Sequence, residues 1–122
     1  MMRVHHVAIQ VPDLVAARAF YEGVLQLPVT REQVHAIWVD AGGVIVMLER
    51  CAESGGEPST WASAVPGPYV VAFGIAAAER DSWRARLSAA SVTLSHESAF
   101  TMYFRDPWGT RLALSHYPEP AP

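Results

Sequence analysis

Short segments of this chain alternate apolar residues with polar or small ones, and two longer segments repeat apolar residues at helical spacing. Alternation with many branched side chains predicts β-strands, whereas apolar residues three or four apart predict helices. The predicted strands are residues 3–11, 34–40, 43–49, 69–75, 100–106 and 110–116, and the predicted helices are residues 14–27 and 78–90. The predicted order is a strand, a helix and two or three strands, and it occurs twice.

The ends of the first predicted helix carry specific signals. Asp13 is suited to be its N-cap, because a carboxylate at that position accepts hydrogen bonds from the first free amides. Pro28 cannot continue an α-helix, so the helix is expected to end before it. Farther along, Ala41, Gly42 and Gly43 separate two strands and predict a hairpin.

The two halves of the sequence align with each other. Residues 7–11 match residues 71–75, and residues 43–48 match residues 109–114. Each helix is expected to cover the more apolar face of its sheet. The other face then presents small, polar and aromatic side chains, which is typical of a concave ligand site. These side chains are His6, Ala8, Gln10, Ile45, Met47, Val70, Ala72, Gly74, Thr101, Tyr103, Arg105, Arg111, Ala113 and Ser115.

Composition and charge argue against several classes of function. The net charge of -3, with no basic cluster, argues against nucleic-acid binding through phosphate contacts. No apolar run approaches the length of about 18–20 residues that spans a bilayer, so no membrane association is expected. The start of the sequence lacks the pattern of a signal peptide. The single cysteine, Cys51, cannot form an internal disulfide, and a cytoplasmic location is predicted.

The length of 122 residues predicts one domain, residues 1–122, built from two modules. Residues 51–67 are rich in Gly, Pro and Ser, which is typical of a linker. This linker is predicted to join a first module of about residues 3–50 to a second module of about residues 68–117.

Three segments carry a resemblance to a known family. HHVAIQVPDL, AFYEGVLQLPV and YFRDPWGTRLALS resemble the vicinal oxygen chelate superfamily, the group of glyoxalases, bleomycin-resistance proteins and extradiol dioxygenases. The resemblance covers roughly residues 3–117. It implies an α+β fold of paired βαβββ modules, in which a cupped, mostly antiparallel sheet surrounds a cavity. It also implies a homodimer and a metal ion at the centre of the cup.

The resemblance places the family's metal ligands at His6, Met47, Val70 and Ala113, and only His6 keeps a usual ligand type. A divalent metal needs about three nitrogen or oxygen ligands, so no metal and no other cofactor is predicted. Whether His96 (in a predicted loop), His35 or another chain completes a site is left open. The neighbour of His6, His5, is expected to point the opposite way along the strand.

The favoured hypothesis is a protein that binds a small organic molecule in the cupped sheet without a catalytic metal, for sequestration of a drug or metabolite. The alternative is a lyase, isomerase or dioxygenase-like enzyme, metal-independent or with an atypical metal, that acts on an oxygenated metabolite with His6 as the catalytic residue. A third hypothesis is a structural or regulatory module whose cavity is vestigial. Ligand identity, and whether the modules pair within a chain or by swapping, stay open. The predicted ligand-binding residues are His6, Gln10, Trp38, Met47, Val70, Tyr103, Arg105, Ala113 and Ser115, and Trp61 of the linker is a further aromatic candidate.

Overall fold

Each half of the chain folds into a four-stranded mixed sheet with helical segments after its first strand. The structure is a computed structural model that describes residues 4–51 and 70–122. The chain divides into two compact units, Met1–Thr60 and Trp61–Pro122, called unit 1 and unit 2. The sheets are not closed into barrels, and the α+β class predicted from the sequence is confirmed.

Unit 1 has a βαβββ order. Its elements are β1 (His6–Val11), α1 (Leu14–Arg18), a π-helical turn (Ala19–Val24), β2 (Val29–Glu32), β3 (Ala36–Asp40) and β4 (Ile45–Arg50). In space the strands lie in the order β1-β4-β3-β2. β1 pairs with β4 in parallel, and the other pairs are antiparallel.

Unit 2 repeats this order. Its elements are β5 (Val71–Gly74), a 3₁₀ turn (Ala77–Glu79), α2 (Arg80–Ala89), β6 (His96–Glu97), β7 (Thr101–Arg105) and β8 (Arg111–Ser115). The spatial order is β5-β8-β7-β6, again with one parallel pair, β5 with β8. The repeat expected from the sequence is therefore confirmed. Most of the predicted linker, residues 52–67, lies outside the described residues, as do the predicted start of the second module at 68 and Trp61.

Two edge strands, β2 and β6, were not located by the sequence pattern. Both are short, and most of their residues are exposed, so they show little alternation of apolar and polar residues. The prediction that His96 lies in a loop was wrong, because His96 is in β6 and pairs with Tyr103 of β7. An edge strand is held in the sheet by hydrogen bonds to a single neighbouring strand, and the local sequence pattern does not reveal this pairing.

The buried core lies on the sheet faces that the alternation predicted. In both units the larger buried side chains of the strands come from one side of the sheet. They are Ile9, Val11, Ile37, Val39, Val46 and Leu48 in unit 1, and Met102, Phe104, Leu112 and Leu114 in unit 2. The opposite face of unit 1 leaves His6, Ala8 and Gln10 exposed, so it is the face open to a ligand.

The first helix is shorter than predicted. Asp13 is its N-cap, because its Oδ1 accepts hydrogen bonds from the amides of Val15 (2.9 Å) and Ala16 (3.1 Å). Regular α-helix ends at Arg18, and a π-helical turn follows, in which the Leu25 amide donates to the carbonyl of Phe20, five residues earlier (3.0 Å). The widened turn accompanies the burial of the adjacent rings of Phe20 and Tyr21.

A nearly buried arginine ties the start of α2 to the strands of unit 2. The Arg80 guanidinium donates to the carbonyls of Ser98 (2.9 Å) and Ala99 (3.2 Å) before β7. It also contacts Nε2 of the buried His116 (2.8 Å) and the Glu97 carboxylate (3.0 Å). Because these groups come from α2, β6 and the end of β8, Arg80 links three elements that are distant in sequence.

Glu97 is held between two guanidinium groups. Arg84 donates to its carboxylate at 2.6 Å, and Arg80 does so at 3.0 Å. These hydrogen bonds, that from Arg84 first and that from Arg80 second, lower the pKa of Glu97 from 4.5 to about 2. The ion pairs therefore contribute stability above pH 4.5 and lose it as the pH falls towards 2.

We expect Glu97→Gln to lower the free energy of unfolding at neutral pH, because the substitution removes the anion that Arg80 and Arg84 share. The difference from the wild type should shrink as the pH falls from 4.5 towards 2, where the wild-type carboxylate also becomes neutral. Urea unfolding at a series of pH values measures this difference. Glu49→Gln, at an exposed position of β4, is the matched control. A difference that does not change with pH would contradict the ion-pair explanation.

Candidate functional site

The open face of unit 1 carries four side chains that lie in line across its four strands. Ala8 of β1 pairs with Met47 of β4, Met47 pairs with Trp38 of β3, and Trp38 pairs with Arg31 of β2. Register partners in a sheet project to the same face. We call these four residues the Trp38 row.

Arg31 and Trp38 are in direct contact. The central guanidinium carbon of Arg31 lies over the Trp38 ring, 5.2 Å from its centroid. This distance is within the usual limit of about 6 Å for a cation–π interaction. The sequence did not single out Arg31, because the polar strand β2 that places it beside Trp38 was not located.

The indole N–H of Trp38 has no hydrogen-bond acceptor within residues 4–51 and 70–122, although its nitrogen is buried. Buried indole N–H groups normally have an acceptor. The ring itself is half-buried, so part of it remains accessible. The unpaired donor on a partly open ring is what a ligand with an oxygen or nitrogen acceptor would complement.

His6 lies at the start of β1, on the same face as Ala8 and Trp38. Its imidazole and the indole of Trp38 are nearly parallel, at 18°, with their centroids 6.5 Å apart. The register therefore places Trp38 on the same face as His6. Met47 is half-buried on the strand between them.

The prediction that His5 and His6 point in opposite directions was wrong. His5 precedes β1, so strand alternation does not apply to it. Its Nδ1 lies 2.9 Å from Nδ1 of His6, and the rings meet edge to face. Since a hydrogen bond between two imidazole nitrogens needs one donor and one acceptor, the tautomers of these two rings are coupled.

Unit 2 contains an equivalent line of four residues. Ala72 of β5 pairs with Ala113 of β8, Ala113 with Tyr103 of β7, and Tyr103 with His96 of β6. The rings of His96 and Tyr103 are in contact, with centroids 5.7 Å apart. We call these four residues the Tyr103 row. The two rows are built alike. Each has an alanine on the first strand of its unit, an aromatic residue on the strand next to the far edge, and an arginine or histidine on the edge strand itself.

The remaining predicted residues have varied surroundings. Gln10 is exposed on the open face of unit 1. Ser115 accepts a hydrogen bond from the hydroxyl of Thr101 (2.9 Å), and Arg105 donates to the Gly109 carbonyl (2.8 Å). Val70 is half-buried immediately before β5. The structure thus brings His6, Trp38 and Met47 together in unit 1, and Tyr103, Ala113 and Ser115 lie on one face of unit 2.

The four positions that the resemblance assigns to metal ligands do not fit a divalent cation. His6 offers an imidazole nitrogen and Met47 a thioether, whereas Val70 and Ala113 have no donor atom. Ala113 is also fully buried, in β8. Within residues 4–51 and 70–122, no group of three or more His, Cys, Asp or Glu side chains is arranged to hold a metal ion. A divalent cation needs about three nitrogen, oxygen or thiolate ligands.

The two histidines considered as further ligands lie elsewhere. Nδ1 of His35, just before β3, is 3.0 Å from the Arg50 guanidinium. His96 lies in β6 against Tyr103, as described above. Neither belongs to a group of potential ligands in the described part of the chain.

Comparisons with known proteins bear on the fold and the family. The comparison with curated proteins gave no match. Among solved structures, the chain is similar to a glyoxalase/dioxygenase from Nostoc punctiforme, with 22% identity and a TM-score of 0.81 over 96% of this chain and 92% of that one. At such identity the likeness shows the fold.

Two further structures show the same fold. A lactoylglutathione lyase from Agrobacterium tumefaciens is 20% identical, with a TM-score of 0.73 over 96% of this chain and 95% of that one. The fosfomycin resistance protein FosX from Listeria monocytogenes, complexed with Mn(II) and sulfate, is 17% identical, with a TM-score of 0.76 over 95% of this chain and 90% of that one.

Among the described residues, no helix is long and apolar enough to cross a membrane. A family model described as Glyoxalase/Bleomycin resistance protein/Dioxygenase superfamily matches residues 3–114, almost the whole chain. The resemblance seen in the sequence is confirmed, and the chain belongs to the Glyoxalase/Bleomycin resistance protein/Dioxygenase superfamily.

Proposed function

We propose that this protein binds a flat, small organic molecule on the open face of unit 1, without a catalytic metal. The observation that carries the proposal is the buried, unpaired indole N–H of Trp38 on a ring that is still partly open. A molecule that covers the open part of this ring, with an acceptor that extends past the ring edge in the plane of the indole, would also pair the N–H. Sequestration of a drug or metabolite by a homodimer is the biological role that we attach to this binding.

The neighbours of Trp38 suit such a ligand. Met47 offers a polarizable thioether, which adapts to irregular apolar shapes. Gln10 and His6 offer polar groups farther along the same face, where both are exposed. In unit 2, the Tyr103 row with Ser115, Arg105 and Val70 is the equivalent set of proposed contacts.

The family membership is compatible with binding and with catalysis. The names of two similar structures, a lactoylglutathione lyase and a fosfomycin resistance protein with Mn(II), describe those proteins. In this chain, the residues that the resemblance equates with metal ligands supply one imidazole and one thioether. Because such a set does not fit a divalent cation, binding without a metal is the function that the site supports best.

We expect Trp38→Ala to weaken the binding of 2-naphthalenemethanol, a neutral bicyclic probe, by about 1–3 kcal/mol, because it removes a partly buried aromatic contact. Trp38→Phe should weaken binding less than Trp38→Ala does, because it keeps an aromatic ring and removes only the N–H donor and part of the ring surface. Isothermal titration calorimetry measures both affinities. Trp83→Phe, on α2, is the control. The proposal would be refuted if both Trp38 variants bound the probe with the wild-type affinity, or if the wild type bound neither this alcohol nor its carboxylate counterpart, 2-naphthoate.

A second candidate function is supported by the pair His5 and His6. An imidazole can act as a general base when a neighbouring group fixes its tautomer. The Nδ1 contact of 2.9 Å provides such a neighbour for His6, whose ring is exposed on the open face. Lyase or isomerase chemistry on an oxygenated metabolite would begin with removal of a proton next to a carbonyl.

If His6 is such a base, the wild type should catalyse exchange of the α-protons of dihydroxyacetone in D₂O, and His6→Gln should lower the rate by about 10²- to 10⁴-fold. Proton NMR follows the exchange, and His35→Gln serves as the control because His35 contacts Arg50 away from this face. A wild type that does not accelerate exchange, or a His6→Gln variant with the full rate, would rule out this second candidate.

A further inference from the structure

Arg31 is the feature that the proposed function leaves unexplained. We infer that the ligand of the Trp38 row is a planar carboxylate, whose anionic group binds to Arg31 while its flat part lies on Trp38. This inference rests on the proposed function, because it names the chemical class of the molecule that binds there.

The positive charge of Arg31 is not paired with a carboxylate in the described part of the chain. Its contact with Trp38 is through the ring, and it has no hydrogen-bond acceptor or carboxylate partner within residues 4–51 and 70–122. A guanidinium carries five N–H donors, and a cation–π contact does not supply acceptors for them. The donors of Arg31 are therefore available to a ligand.

Other arginines of the chain are used differently. Arg18 is paired with Glu22 and Glu32, and Arg80 and Arg84 are paired with Glu97. Arg105 donates to a backbone carbonyl, and Arg50 contacts His35. These guanidinium groups stabilise the fold, whereas Arg31 is exposed and contacts an aromatic ring on the open face.

The acidic residue next to Arg31 in sequence does not neutralise it. Glu32 is bound to Arg18. Adjacent residues of a strand project to opposite faces, so Glu32 lies on the side away from Trp38. The Trp38 row thus combines an aromatic surface with a positive charge and has no carboxylate of its own.

A carboxylate matches this arrangement in shape and charge. The planar fork of a guanidinium binds the two oxygens of a carboxylate with parallel hydrogen bonds. Because the guanidinium carbon lies 5.2 Å from the Trp38 ring centroid, a carboxylate bound to it is close to the indole. A conjugated or aromatic group attached to that carboxylate can then stack on the ring.

Unit 2 gives the comparison within the same chain. The residue equivalent to Arg31 is His96, which contacts Tyr103. An imidazole lacks the permanent charge and the fork of donors that a guanidinium has. The selectivity for an anion is therefore expected to depend on Arg31 in unit 1.

The test compares 2-naphthoate with 2-naphthalenemethanol, which share the flat part and differ in charge. In the wild type, 2-naphthoate should bind about 10-fold more tightly. Arg31→Gln should weaken the naphthoate complex far more than the alcohol complex and so remove this preference, and Arg31→Lys should keep part of the preference. Raising the NaCl concentration should weaken the naphthoate complex more than the alcohol complex. Arg50→Gln, a charge-matched control, should change neither affinity.

The outcomes separate this inference from the proposed function. If the alcohol binds through Trp38 but the naphthoate binds no more tightly, or Arg31→Gln weakens both probes equally, the carboxylate inference is overturned and the binding function stands. If neither probe binds the wild type, the binding function itself fails. Thermal unfolding of Arg31→Gln should match the wild type, because Arg31 lies exposed on an edge strand.

Discussion

The parallel pairing of the first strand with the last strand is the constraint on which each unit depends. β1 and β4 cannot be joined by a tight turn, so the chain between them must cross over, and it does so through α1, β2 and β3. The register of this pair sets Ala8 beside Met47. A shift by one residue would exchange the two faces, moving His6 to the core and Ile9 to the open side.

The sequence was sufficient to locate the strands that carry many buried apolar residues and to assign their faces. In β1, β7 and β8 more apolar residues alternate with polar or small ones, and the alignment of the two halves extends this alternation to β4, so the faces of His6, Met47 and Tyr103 could be predicted. It was insufficient at the edges, where β2 and β6 consist largely of exposed residues. Arg31 and His96 were therefore not placed beside Trp38 and Tyr103. The contact of His5 with His6 was missed because β1 begins at His6, three residues later than the predicted start at residue 3, so His5 lies outside the strand.

Family membership and chemistry are separate questions for this chain. The superfamily is shown by a match over residues 3–114, yet only His6 among the four expected ligand positions has a usual metal-binding side chain. The buried apolar residues of the repeat maintain the fold, so residues on the other face of each sheet can change without loss of the fold. A shared architecture can therefore support binding in one member and catalysis in another.

The positions of Arg31 and His96 have a consequence for how the protein could diversify. Both occupy equivalent sites on short outer strands, and both are exposed, so few buried contacts depend on their identity. Each is nonetheless adjacent to the aromatic ring of its row. New ligand preferences could thus evolve by single substitutions at the margin of the sheet, without a compensating change in the core.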